Sequence, residues 1–121
     1  NGAVQYSLSF TEAKVYIIGN ALNGDWSIND SGRFTAPATA DGEWVSPAFT
    51  GAGELRMCVD CGIDWWMTEF TLDGDNNIFY RTMDIPANWA ENVGADYSKQ
   101  AAIGGHAYIN FTAGTGRITE D

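Results

Sequence analysis

Cys58 and Cys61 are the chain's two cysteines, spaced Cys-x-x-Cys. That spacing serves zinc ligation or thiol–disulfide exchange, or it is simply a pair of thiols. Zinc needs further Cys or His ligands, and His106 is the sole histidine. A redox motif opens a helix, whose N-terminus lowers the thiol pKa. Here Gly62 and the alternation before it point to a strand end instead. The pair is therefore read as free thiols or a local disulfide, and no metal or cofactor is expected. A hydrolytic triad would have to run through His106. That residue alternates with Tyr108 and Asn110, opposite Ala107, Ile109 and Phe111, as a surface residue on a strand does. The sixteen Asp and Glu offer many carboxylate pairs, but a small sandwich has no walls to enclose a substrate between them. Asp73-x-Asp75-x-Asn77 begins like a calcium loop, yet Ile78 and Asp84 stand where such a loop needs Gly and a bidentate Glu. A turn tolerant of left-handed φ is the expectation there. No catalytic centre is expected.

The tryptophans are the unusual feature, five in 121 residues. Trp44 lies in a strand and is expected in the core. Trp65 and Trp66 are adjacent, so in a strand they face opposite ways. Phe70 and Leu72 then draw Trp66 inward and leave Trp65 outward beside Met67, Glu69 and Thr71. Trp26 follows the turn Asn23-Gly-Asp25, so its ring sits at a loop end, and Trp89 follows Pro86 as a loop anchor. Flat indoles suit the apolar faces of sugar rings, with Arg, Asn and Asp completing hydrogen bonds to hydroxyls.

Such residues must be held by strands, because the chain is punctuated by fourteen Gly and its segments alternate rather than repeat every three to four residues. Strands are expected at 14–18, 43–46, 54–59, 66–72, 78–83, 105–111 and 116–119, with turns at 73–77 and 112–115. In 54–59, Leu55, Met57 and Val59 face one way and Glu54, Arg56 and Cys58 the other. Only 90–102 suits a short helix or an irregular loop. Short strands with turns every ten or so residues imply an all-β, immunoglobulin-like sandwich, mainly antiparallel, of seven to nine strands. Its core is expected to hold Val15, Ile17, Leu55, Met57, Phe70, Leu72, Ile109 and Phe111. Residues 1–13 read as a linker or N-terminal segment and 14–121 as the sandwich.

Six Lys and Arg against sixteen Asp and Glu give a formal charge of −10. Nucleic acid and anionic membranes are thereby disfavoured, since they need a basic face. An apolar share of 45% and 13% aromatics exclude a disordered acidic tail. No apolar run approaches the roughly 18 residues of a membrane span. No signal peptide opens the chain, so a mature domain is expected, its anchor and neighbouring domains lying elsewhere.

Val15-Tyr-Ile-Ile-Gly-Asn-Ala21 followed by Gly24-Asp-Trp26-Ser-Ile28 resembles the opening of the starch-binding domains of SusE/SusF-type outer-membrane lipoproteins. Phe34, Glu43-Trp44, the strand Gly53-Glu-Leu-Arg-Met57, Trp65-Trp66 and the hairpin start Gly104-Gly-His-Ala-Tyr108-Ile-Asn-Phe111 follow in the same order, so the resemblance covers about residues 14 to 119. More distantly, the chain is similar to glycogen-binding modules. The resemblance implies a non-catalytic module that binds a starch-like polysaccharide or oligosaccharide at the bacterial cell surface. It also implies other components of an outer-membrane glycan-uptake complex as partners. Matched residue by residue, Trp26 is the first ring, Arg56 the basic residue and Trp65 or Trp66 the second ring. Arg56 is expected to be fixed by Glu54 or Asp64. The family's Lys is Arg here, Met57 replaces an aromatic, and Cys58-Val-Asp-Cys61 has no counterpart. The alternative from another class is a structural or protein-interaction sandwich without a sugar site.

Overall fold

The computed structural model describes residues 14–81 and 100–120. Eight strands run through them: β1 Lys14–Gly19, β2 Trp44–Val45, β3 Gly53–Asp60, β4 Glu69–Leu72, β5 Ile78–Tyr80, β6 Gln100–Ala101, β7 His106–Asn110 and β8 Thr115–Thr119. All pairings are antiparallel. One sheet has the order β1-β3-β4-β5, with β6 on the Gly53–Glu54 end of β3, and the other has the order β2-β7-β8. The expected all-β sandwich is what forms.

Alternation decides what lies between the sheets. Val15, Ile17, Leu55, Met57, Phe70 and Leu72 from the first sheet meet Trp44, Ala107 and Ile109 from the second, with Phe34 and Phe49 filling between them. Phe111 is partly buried and sets its edge against Trp44 (6.0 Å, 82°) and Phe70 (5.3 Å, 71°). Of the eight residues expected in the core, seven are buried in this cluster and Phe111 packs against it. Trp44 joins it, as expected.

Three details depart from the expectations. The strand expected over 66–72 begins only at Glu69, and Trp65–Thr68 forms a 3-10 turn instead. The Met67 amide closes that turn on the Asp64 carbonyl, and the Thr68 hydroxyl donates to the carbonyls of Val59 and Trp65. One threonine thus pulls a strand-forming run into a curl. Secondly, the outer face of the first sheet is covered. Tyr16, Ile18 and Cys58 make a second buried cluster under Ile28 and Trp65, and Glu69 and Thr71, expected outward, are each 1% exposed. This is why β1 reads as an unbroken apolar run: it is buried on both faces. Thirdly, Gln100–Ala101 at the end of the stretch 90–102 is a strand. Trp89 and residues 90–99 of that stretch lie outside the described residues.

The turn at 73–77 is as expected. Asp73 Oδ1 accepts the amides of Asp75 and Asn77, each at 2.9 Å, and Asn76 takes the left-handed φ of 63°. Among the described residues, no three His, Cys, Asp or Glu are grouped so as to hold a metal ion. His106 is half-buried on β7, in the sheet opposite the one that carries Arg56 and Glu69.

Candidate functional site

Trp26 is set in place by the end of β1. Gly19 and Asp25 form an antiparallel bridge, in which the Gly19 amide donates to the Asp25 carbonyl at 2.6 Å. Asn23 (φ 55°) and Gly24 (φ 82°) supply the left-handed residues of the intervening bend. Beyond it, the Asp25 carboxylate accepts from the Ser27 hydroxyl (2.6 Å), the Ser27 amide (3.0 Å) and the Asn29 side chain (3.1 Å). The Ser27 bonds hold that carboxyl below its ordinary pKa. The indole lies flat over Gly19, where a side-chain carbon would come within 2.9 Å of the ring. Trp26 nevertheless remains 44% exposed.

The second ring arrives from the 3-10 turn. Trp65 is half-buried, packed on the Tyr16–Ile18–Cys58 cluster, and its ring centre is 6.1 Å from that of Trp26 with the planes at 39°. The two indoles form a shallow, angled platform. Trp66, expected in the core, is half-buried on the other side of the same turn, with the Arg81 guanidinium 5.2 Å from its ring centre. The turn is what moves it: in a 3-10 segment neighbours are about 120° apart, so both tryptophans stay on the outer side of the sheet.

Arg56 lies on the outer face of β3, as alternation requires, but it is buried rather than exposed, at 7%. Its Nε donates to Glu54 Oε1 at 2.7 Å and its Nη1 to Glu69 Oε2 at 2.9 Å, and its guanidinium sits 5.6 Å from the Trp26 ring centre. Burial pulls its pKa down, but the hydrogen bonds and charges of Glu54 and Glu69 outweigh this and leave it raised. Glu54 was one of the two carboxylates expected to hold it. Glu69 was not foreseen, because alternation placed it outward. The opposite oxygen of Glu69 accepts from Arg81 Nη1 at 3.0 Å. Burial raises the Glu69 pKa while the two arginines oppose the rise. The structure thus brings Trp26, Arg56 and Trp65 into one surface and sets Trp66 beside it.

Cys58 and Cys61 are free thiols, the first buried and the second exposed. No side chain among these is arranged to attack a substrate. The arrangement offers flat apolar rings backed by cations, which is a surface for binding.

A family model described as "SusF/SusE starch specific CBMs" matches residues 14–117. The outer membrane protein SusF of Bacteroides thetaiotaomicron is 38% identical over 117 residues, which cover 92% of this chain and 22% of that protein. The crystal structure of SusF from the same organism superposes with a TM-score of 0.69 at 40% identity, covering 87% of this chain and 23% of that one. The chain therefore spans under a quarter of the length of the relative it matches. With a matched span that takes in both sheets and the whole tryptophan surface, the chain belongs to the SusF/SusE family of starch-specific carbohydrate-binding modules.

Proposed function

We propose that this domain is a non-catalytic module that holds α-glucan, of the starch type, on the Trp26–Trp65 platform. The observation that carries the reading is the pair itself: two indoles with ring centres 6.1 Å apart, tilted by 39°, one of them 44% exposed and the other half-buried on the outer cluster, with the Arg56 guanidinium behind the exposed ring. An angled pair suits a helically curved glucan better than a flat, extended chain, because consecutive sugar faces turn along it. Trp26 and Trp65 stack on sugar faces, Arg56 backs Trp26 and donates to hydroxyls at the platform's edge, and Trp66 borders the site. The domain is one piece of a longer cell-surface protein of the outer membrane, acting beside the other components of a glycan-uptake complex and keeping polysaccharide near them.

Native gels cast with amylopectin, dextran or xylan test the reading. The domain should be retarded by amylopectin and should release no reducing sugar from it. Trp26→Ala and Trp65→Ala should each weaken binding roughly fivefold, the equivalent of about 1 kcal/mol of stacking, with the melting temperature checked first. Wild-type retardation in both variants would move the site elsewhere. Absence of any shift with every glycan would favour a protein-interaction domain.

A further inference from the structure

We infer that Glu69 is the positioning residue of this surface: one buried carboxylate that holds Arg56 against Trp26 and Arg81 against Trp66. Glu69 Oε2 accepts from Arg56 at 2.9 Å and Oε1 from Arg81 at 3.0 Å. Each guanidinium in turn rests against a different indole, at 5.6 Å from the Trp26 ring centre and 5.2 Å from that of Trp66. The Glu69 side chain has no exposed surface, and those of Arg56 and Arg81 retain only 9% and 14%. The three residues come from β3, from the start of β4 and from just after β5, so the triad crosses three adjacent strands of the outer face.

Stability is a poor reason for such a triad. Desolvating three charges costs as much as their attraction returns, and apolar replacements of equal volume are often as stable or better. The same outer face shows the apolar solution right beside it, in Tyr16 and Ile18 of β1 and Cys58 of β3. What the charged solution adds is direction. A carboxylate with both oxygens engaged fixes two planar guanidinium forks, and each fork fixes the ring it touches. Glu69 also directly follows the turn that carries Trp65 and Trp66, so it ties that turn to the sheet at the point where the rings leave it. Its effect on a ligand runs entirely through Arg56, Arg81 and the indoles.

The effect on glucan rests on the binding reading above; the effect on ring geometry does not, so two readouts are taken. The first is the far-UV exciton couplet of the Trp26–Trp65 pair, identified by its loss in Trp26→Ala. The second is the Kd for maltoheptaose. In Glu69→Gln, an isosteric amide presents one acceptor and one donor to two cations. The couplet should shrink and Kd should weaken about fivefold or more, with a cooperative melt retained. Arg81→Met, which frees one oxygen and leaves the Arg56 pair in place, should move both readouts the same way by a smaller factor. It also decides the matter if Glu69→Gln does not fold. The inference falls if a folded variant keeps the wild-type couplet, or keeps wild-type affinity where the wild type binds. If the wild type binds no maltoheptaose, the α-glucan reading fails by itself and the couplet alone judges Glu69.

Discussion

At the scale of single residues, environment separates side chains that the sequence presents as equals. Cys58 and Cys61 look alike as a spaced pair, yet one is sealed beneath Trp65 and the other is in water. Burial, with the nearby Glu69 charge adding to it, pushes the Cys58 thiol up to about 12. Since the thiolate is the reactive form, Cys58 is inert at ordinary pH. At about pH 8, Ellman's reagent should titrate one thiol per folded chain and two in denaturant. Two fast-reacting thiols in the folded protein would mean that the outer cluster opens readily. The tryptophans show the same contrast. Trp44 was legible because it sits in a strand-forming run, and the structure sets it in the core, paired with Ile109. Trp66 was not, because period-two counting assumes a strand, and a single hydroxyl on Thr68 removed the assumption.

At the scale of elements, the alternation in β3 was enough to place Leu55, Met57 and Val59 inside and Arg56 outside, and the β3 register follows from it. Alternation says which face a residue takes. It is silent on whether that face meets water, since the cover comes from loops whose path has no period. That is why Glu69 and Thr71 were placed outward yet are buried, and why the Arg–Glu–Arg triad was invisible in the sequence. The loop after β1 has its own requirement. Gly19 has φ 82° and ψ −139°, a conformation that L side chains rarely adopt, and its missing Cβ is the space in which the Trp26 ring rests. Gly19→Ala should therefore cost roughly 1–3 kcal/mol of stability from backbone strain. It should also lift the indole, so glucan affinity should fall more than in a neighbouring loop variant of equal stability. Chemical denaturation combined with the gel assay separates the two effects. An alanine variant with wild-type affinity would show that Trp26 does not need this seat.

At the scale of the whole molecule, the charge of −10 and the neutral ligand make a joint prediction. A starch-type glucan carries no charge, so the recognition proposed here uses ring faces, hydroxyls and a buried triad that salt reaches poorly. Exposed charges more than about 8–10 Å apart are screened at physiological ionic strength, whereas buried pairs are screened much less. Retention by amylopectin should thus be unchanged between about 0.05 and 0.5 M NaCl, across which the screening length falls by roughly threefold. An anionic polysaccharide of similar size, such as polygalacturonate, should be repelled at low salt by the acidic surface and gain no specific contact at high salt. The alternative class responds differently, because a protein-interaction surface on so acidic a domain would select a basic partner, and such binding weakens steeply with salt. A single affinity small enough for an open platform still gives firm retention if several modules on one longer chain engage one polysaccharide, as effective concentration dictates. Linking two copies of this domain should accordingly raise retention by amylopectin far more than twofold, and still without salt dependence. A steep loss of retention in salt, for one copy or two, would place the binding on surface charge and away from the tryptophans.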